Sequence, residues 1–323
     1  MVTISVALCT FNGARFVEQQ LRSILNQTLP PDEIVIADDG STDETLELVQ
    51  ATFDTDGDPA IDLRILEGGE NRGVTANFQR AVSACRGGLI ALSDQDDLWH
   101  PDRLAGAAGG FDHPALLLQH GDARLIDADG HALDVSLFEA LRLSPSERKA
   151  IATGHAFEAY IRRNLATGAT MMFRRDLLEH ALPFPLEWVH DEWLAIVAAA
   201  VGEVQMLDAA LIDYRQHGSN QIGAKKPTLR YRVGRMLQPR GDRYLRLAAR
   251  SHALSDRIDA LPSSPAVRRL AHDRARFDDV RSALPGARIA RLGSVLREWK
   301  AGSYSRLSSQ GGLDVVRDLL QPA

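Results

Sequence analysis

Four short apolar runs, each closed by a polar cluster and separated by stretches of helical periodicity, constrain the fold of this chain more than any other feature. Residues 3–9, Thr-Ile-Ser-Val-Ala-Leu-Cys, read as a buried strand, and Thr10-Phe11-Asn12-Gly13 breaks it. Positions 14–27 then carry Phe16, Val17, Leu21, Ile24 and Leu25 at helical spacing, ending at Pro30-Pro31. Glu33 to Ala37 is a second strand, with the turn Asp38-Asp39-Gly40-Ser41 after it. Ser41-Thr42-Asp43-Glu44 reads as a capping box opening a helix that runs to about Phe53. A strand at 61–66, a turn at Asn71-Arg72-Gly73, a helix over 74–86 and a strand at Leu89–Leu92 complete the series. Strand–helix alternation at this spacing predicts an α/β fold with a mostly parallel sheet flanked by helices. Ligands bind such sheets at the carboxyl ends of the strands. Thr10–Asn12, Asp38–Ser41, Asn71–Gly73 and Asp94–Asp97 all fall there, so four polar clusters are expected on one rim.

The fourth cluster is the most acidic. Ser93-Asp94-Gln95-Asp96-Asp97 closes a buried strand and is followed at once by Leu98-Trp99-His100. Carboxylates crowded there repel one another and lose hydration unless something cationic neutralises them. Hard oxygen donors suit Mg²⁺ or Mn²⁺ carrying an anionic ligand. A solvated turn with a helix N-cap is the plainer alternative for this stretch alone.

The later sequence is less regular. Leu116 to Asp122 reads as a strand, continuing at Leu125-Ile126-Asp127 beyond a short break. Thr167 to Phe173 reads as a strand whose Gly168 lets a backbone approach a ligand closely. Trp188-Val189-His190-Asp191-Glu192-Trp193 opens an apolar helix over 194–201, and Val204 to Tyr214 is the last strand, leading to Arg215-Gln216-His217-Gly218-Ser219-Asn220. After Lys225-Lys226-Pro227 the chain turns to Arg-rich amphipathic helices broken by Pro239, Pro262, Pro265 and Pro285. The expected division is therefore 1–224 and a basic, mainly helical 225–323.

Charge follows that division. Residues 225–323 hold 21 Lys+Arg and 9 Asp+Glu, whereas the chain as a whole has a formal charge of −6. An acidic body with a basic tail argues against a general nucleic-acid binder and suits a tail that meets an anionic membrane surface or lipid-linked phosphate. Arg residues that solvate helix faces or pair with the acidic body are the alternative, and tail helices forming a homodimer interface are another. The two cysteines, Cys9 and Cys85, sit in or beside apolar segments and read as reduced buried thiols. Met1-Val2-Thr3-Ile4-Ser5 enters a strand without a basic-then-apolar leader, and the longest apolar run, 194–201, is too short to span a bilayer. The expectation is a cytoplasmic protein, peripheral on the inner face of the plasma membrane if the tail binds lipid.

Taken together and in this order, Cys9–Gly13, Asp38–Asp43, Asn71-Arg72-Gly73 with Asn77, Ser93–Trp99, His190–Trp193 and Tyr214–Asn220 resemble the inverting family 2 glycosyltransferases with the GT-A fold. Within them the chain is most similar to bacterial rhamnosyltransferases that build cell-surface polysaccharides, a likeness that Trp299–Tyr304 and Gly312–Leu320 extend to the C-terminus. The resemblance implies that Thr10, Phe11 and Asn12 line a nucleotide pocket and that Asp38 or Asp39 receives the pyrimidine N–H. Arg72, Asn77 and Gln95 would stand near the nucleotide or diphosphate. Asp94 and Asp96 match the family's Asp-x-Asp metal element, with Asp96 the direct ligand, and His217 matches a further metal or diphosphate contact. Asp191 matches the catalytic base, with a simple helix N-cap as the alternative. Trp99, Trp188 and Trp193 are either walls for a sugar ring or core aromatics.

What the resemblance implies is a metal-dependent hexosyl transfer from a nucleotide sugar, dTDP-β-L-rhamnose or a UDP-linked hexose, to a glycan or lipid-linked saccharide. Three other readings compete. A phosphatase with a strand-end Asp nucleophile would not require the later Asp94–Asp97 and His190–Trp193 clusters. A nucleotidyltransferase would need a Gly-rich, Lys-bearing loop where Thr10–Arg15 stands. A non-catalytic sugar-nucleotide-binding protein would have no need to retain every carboxylate.

Overall fold

The computed structural model describes residues 2–217 and 239–322. The chain resolves into two compact units, Met1–Gly154 with Leu165–Ala224, and His155–Asn164 with Lys225–Ala323. The segment His155–Asn164 thus belongs to the second unit although it interrupts the sequence of the first.

The first unit is built on a nine-stranded sheet. Its strands are β1 (Ile4–Thr10), β2 (Glu33–Asp38), β3 (Asp62–Leu66), β4 (Leu89–Asp94), β5 (Leu98–Trp99), β6 (Leu116–Ile126), β7 (Ala132–Ser136), β8 (Met172–Arg174) and β9 (Glu203–Arg215). They lie in the order β3-β2-β1-β4-β8-β6-β9-β5, with β7 beside β6. The first four are parallel, as the alternation predicts. β8 then runs antiparallel to both β4 and β6, while β6 and β9 are parallel to each other. The sheet is therefore parallel where strand–helix units build it and mixed beyond β4.

The helices bury the stripes the sequence supplies. In α1 (Val17–Leu25) the buried side chains are Val17, Gln20, Leu21 and Ile24. In α3 (Val74–Ala84), which follows α2 (Thr45–Asp56), they are Asn77, Phe78, Ala81 and Val82. Each set is one face of a 3.6-residue repeat. α4 (His190–Val201) is different: nine of its 12 residues are buried, because it packs against α3, β6 and β9 at once. Among the described residues no helix is long and apolar enough to cross a membrane.

Three local expectations change. α2 starts at Thr45, and Asp43 rather than Ser41 bonds its first turn, accepting from the Thr45 amide at 3.1 Å and from its hydroxyl. The Ser41 hydroxyl is engaged elsewhere, accepting from Asn12 N at 2.9 Å and donating to Asp38 Oδ1 at 2.5 Å. β6 is one strand with register shifts where a break is expected. Residues 168–170 form a single 3-10 turn, leaving only Met172–Arg174 as strand.

The second unit is helical: α5 (Arg243–Ala260), α6 (Pro265–Ser282), α7 (Arg288–Lys300), α8 (Ser303–Leu307) and α9 (Gly312–Leu320). Ser264 caps α6 by accepting from Val267 N at 3.2 Å, with Pro265 at the first turn where its missing N–H costs nothing. Much of the basic charge is internal. Arg281 grips Asp318 with two bonds of 2.7 and 3.0 Å, and Asp318 also accepts from the Tyr244 and Tyr304 hydroxyls. Arg291, fully buried, donates to the carbonyls of Pro285, Gly286, Asp318 and Gln321. These arginines replace the capping and turn bonds that a helical unit of short elements otherwise lacks.

Candidate active site

Strand register brings the polar clusters to one rim. Thr10 lies opposite Asp38, and on its other side β1 pairs with β4 so that Cys9 lies opposite Asp94. The first two clusters interlock there. Asp38 Oδ1 accepts from Thr10 Oγ1 at 2.8 Å and Ser41 Oγ at 2.5 Å, while Oδ2 accepts from the amides of Gly40 at 3.0 Å and Ser41 at 2.8 Å. Asp39 receives one amide on each oxygen, Arg72 N and Gly73 N, both at 2.9 Å. This is why the third cluster joins the second: Gly73, at φ +84°, turns the chain so that successive amides face one carboxylate. The Arg72 side chain remains exposed on the rim.

Asn12, also with positive φ, donates its amide to Ser41 Oγ at 2.9 Å and accepts from Thr42 N at 2.8 Å. Gln95 pairs with the Phe11 backbone in both directions, at 2.8 and 3.1 Å, tying the end of β1 to the acidic turn. A Cβ on Gly13 would lie 2.2 Å from Gln95 Oε1, so a larger residue there would push the Gln95 amide off that pair. The Phe11 ring is left exposed. Asn77 is buried and bonded inward, to the Ala37 carbonyl at 2.7 Å and to Arg80 at 3.1 Å.

The acidic cluster is crowded. Burial and the negative charges of Asp96 and Asp191 push the Asp94 carboxyl up to about 8. Asp97 is pushed well above the ordinary carboxylate range by burial and by Asp96 and Asp94. Its Oδ1 accepts from Arg215 N at 2.9 Å, and its Oδ2 is buried without a partner. The buried Tyr214 hydroxyl is pushed up by burial and by the negative charges of Asp94, Asp97, Asp96 and Asp191, so one phenol feels all four carboxylates. Asp191, 97 residues after Asp94 in sequence, is part of this group in space.

Asp191 stands in the first turn of α4, nearly buried. Its Oδ2 accepts from Gly168 N at 3.1 Å and its Oδ1 from Glu192 N at 2.6 Å. A Cβ on Gly168 would sit 3.0 Å from His190 Nε2 and 3.4 Å from Asp191 Cβ. The close backbone approach expected at Gly168 is therefore an approach to His190 and Asp191. His190 stacks on Phe78 at 3.9 Å between centroids, with neither ring nitrogen hydrogen-bonded. Of the three tryptophans, Trp193 is wholly buried with Nε1 on the Ala181 carbonyl at 2.8 Å, and Trp99 and Trp188 are buried as well.

His217 reaches Asp96, Nε2 to Oδ2 at 2.5 Å, and stacks on Phe16 at 5.3 Å. Arg215 lies over the same ring at 4.8 Å and donates to the Asp96 carbonyl at 2.8 Å. Sequence reasoning singled out His217 in this run and left Arg215 and Tyr214 without roles; the distance of β9 from the acidic turn along the chain hid both. Gly218, Ser219 and Asn220 lie outside the described residues, as do Lys225-Lys226-Pro227.

Surplus negative charge and a donor set of carboxylate oxygens with one imidazole fit a hard divalent cation. Asp94, Asp96 and His217 nevertheless do not all come within 4.8 Å of one another. Among the described residues that spacing is met by Asp127, Asp129 and His131 on the β6–β7 loop, where Asp127 is occupied accepting the amides of its own turn.

The buried imidazole beside Asp191 yields a stability test. Burial lowers the His190 pKa from 6.5 to about 3, so on acidification the unfolded chain takes up a proton that the folded state refuses. Stability should fall as pH drops below about 6.5, and a His190→Phe variant should lose less melting temperature between pH 7 and pH 5 than the parent protein. Equal losses in the two proteins would show that the ring is not held neutral.

Residues 5–182 match the model of glycosyl transferase family 2. An uncharacterized glycosyltransferase of Nostoc sp. is 29% identical over 223 residues, covering 67% of this chain and 66% of that protein. The putative glycosyltransferase EpsH of Bacillus subtilis is 27% identical over 228 residues, covering 68% and 62%. The putative teichuronic acid biosynthesis glycosyltransferase TuaG of the same organism is 33% identical over 101 residues, covering 31% and 38%. The chain thus spans less than two thirds of the length of these relatives. Among solved structures, Staphylococcus aureus TarS 1–349 with UDP-GlcNAc superposes with a TM-score of 0.58 at 18% identity, covering 93% of this chain and 81% of that one. The mannosyltransferase PcManGT of Pyrobaculum calidifontis, with GDP-Man and Mn²⁺, gives 0.56 at 20% identity, covering 94% and 77%. These likenesses identify the fold as GT-A. With the family model spanning more than half its length, the chain belongs to glycosyl transferase family 2.

Proposed function

We propose that the chain is an inverting glycosyltransferase that moves a hexosyl group from a nucleoside diphosphate to a hydroxyl of a glycan or lipid-linked saccharide in cell-surface polysaccharide synthesis. The observation that carries this reading is the charge crowding of Asp94 against Asp96 and Asp191 at the carboxyl ends of β1, β2 and β4. The likeness to a putative teichuronic acid glycosyltransferase supports the polysaccharide context. The motif set favours L-rhamnose carried on dTDP, with a UDP-linked hexose as the alternative donor. The basic residues 225–323 favour work at the cytosolic face of the plasma membrane.

Asp38 and Asp39 divide the labour at the nucleotide. An ionised carboxylate offers about four acceptor positions, and Asp38 has all of them filled, one by the Thr10 hydroxyl of β1 and three by Gly40 and Ser41 of its own turn. Asp39, with one amide on each oxygen, keeps capacity for the pyrimidine imide N–H. Phe11 offers its exposed ring to the base, Thr10 and Asn12 hold the loop that shapes the pocket, and Arg72 reaches the diphosphate from the rim. Gln95 and Asn77 act on the backbone beneath. A divalent cation, Mg²⁺ or Mn²⁺, held by Asp96 with His217 and Asp94, would offset charge on the departing diphosphate.

Asp191 takes the proton. As the acceptor oxygen bonds to the anomeric carbon, the bond to the diphosphate oxygen breaks and the hydroxyl proton passes to the Asp191 carboxylate. The Gly168 and Glu192 amides hold that carboxylate in one orientation. Attack from the face opposite the diphosphate inverts the anomeric carbon, so a β-L-rhamnosyl donor gives an α-L-rhamnoside. Arg215 contributes by holding the acidic turn, its guanidinium on the Asp96 carbonyl and its backbone amide on the Asp97 carboxylate.

Two substitutions test this division. Asp191→Asn should lower kcat by about 10²–10⁴-fold while donor affinity, measured by calorimetry, stays within a few fold. Full turnover in that variant would remove Asp191 from the reaction. Asp39→Asn replaces an acceptor-only group with one that can also present a donor, and should weaken pyrimidine nucleotide binding by roughly 10-fold or more. Unchanged affinity there would move the imide contact elsewhere.

A further inference from the structure

Exposed apolar side chains recur at intervals of three and four residues along two neighbouring helices of the second unit. On α7 they are Ile289, Leu292, Leu296 and Trp299, and on α9 Leu313, Val316 and Leu320. Ile289 is 84% exposed, Trp299 55% and Leu320 54%. The two helices pack on each other, and their other faces supply Val295, Val315 and Leu319 to the unit's core. Each helix is therefore apolar on two sides, one already satisfied and one facing water. Exposed apolar side chains in a row along each of two packed helices mark a surface that meets another.

Charge decides what it meets. Arg288, Arg297 and Lys300 of α7 are exposed. Every carboxylate on the two helices is buried and bonded inside the unit. Glu298 accepts from Arg276 and Ser303, Asp314 from Arg317, and Asp318 from Arg281 and two tyrosines. What α7 and α9 show to solvent is thus an apolar stripe with a cationic fringe and no exposed carboxylate. A second copy of the chain would set those cations against their own kind. An anionic lipid surface supplies both an apolar phase for the stripe and phosphates for the fringe, with indole favoured at the boundary.

We propose that α7 and α9 form a docking face for an anionic lipid bilayer, with Trp299 and the leucines entering the region between headgroups and acyl chains while Arg288, Arg297 and Lys300 meet the headgroups. This places membrane contact on named residues and does not depend on the sugar-transfer reading, because docking requires neither donor nor acceptor.

The test is flotation of the full chain at low salt with vesicles of phosphatidylglycerol and phosphatidylcholine, against phosphatidylcholine alone. The chain should float with the anionic vesicles only. The paired change Leu292→Glu and Leu296→Glu, and separately Arg297→Glu with Lys300→Glu, should each weaken binding by about tenfold or more. Lipids brominated in the acyl chains should quench fluorescence in the parent protein, and Trp299→Phe should abolish that quenching. All these side chains are exposed, and a helical circular dichroism spectrum matching the parent establishes that each variant is folded. Failure to float with anionic vesicles, or binding indifferent to the leucine changes, overturns the proposal. A concentration-dependent dimer in sedimentation that Leu292→Glu and Leu296→Glu dissociate, with vesicles ignored, overturns it too and gives the face to a second copy.

Discussion

Mutual repulsion among Asp94, Asp96, Asp97 and Asp191 is the constraint on which the rest of the first unit turns. Raising Asp94 from 3.8 to about 8 corresponds to a cost on the order of 5 kcal/mol for holding it ionised, at about 1.4 kcal/mol per pH unit. That is comparable to the whole stability of many domains. A fold keeps such an arrangement only if the surroundings over-determine it. Here the parallel strands β1, β2 and β4, buried along almost their whole length, fix where the turns emerge. Arg215 binds the backbone of the acidic turn, and two amides fix Asp191 from the other side. Crowded carboxylates with raised pKa values are the kind of arrangement found at functional sites, and the proposed cation is what would neutralise the surplus negative charge.

The β1–β2 side of the rim shows the opposite electrostatic arrangement. Asp38 has its acceptor positions filled by Thr10 of β1 and by Gly40 and Ser41 of its own turn, so its role is to hold that turn against β1 and, through Ser41, the Asn12 amide. Asp39 is half spent, tethering the Arg72–Gly73 turn while keeping acceptor capacity. Two adjacent aspartates, indistinguishable in sequence, therefore do different work because one faces back into its loop and its neighbour faces across to the next.

Much of this was legible in the sequence. The strand–helix alternation gave β1 to β4 and the convergence of their polar ends, because period and strand ends are local signals. The motif order gave the family that residues 5–182 match. What the sequence hid was set by distant contacts. β8 and the 3-10 turn at 168–170 depend on Gly168 meeting Asp191 rather than on any local propensity. Asn77 looked like a ligand group and is turned inward to Ala37. The arginines of 225–323 are alike in the sequence, yet Arg281 and Arg291 are internal scaffolding while Arg288 and Arg297 reach solvent. Composition counts charges, and only coordinates separate those that build the unit from those that meet a partner.

The most direct test of the central claim replaces one crowded charge with a neutral isostere. Asp94→Asn removes a carboxyl whose pKa is raised in the folded state, so the ionised group costs stability most at pH values above about 8. Thermal melting at pH 8.5 without divalent cation should show the variant more stable than the parent. Added Mn²⁺ with a nucleoside diphosphate should stabilise the parent and have little effect on the variant. A variant less stable than the parent without the cation, and stabilised as strongly by Mn²⁺ and nucleotide, would contradict the account.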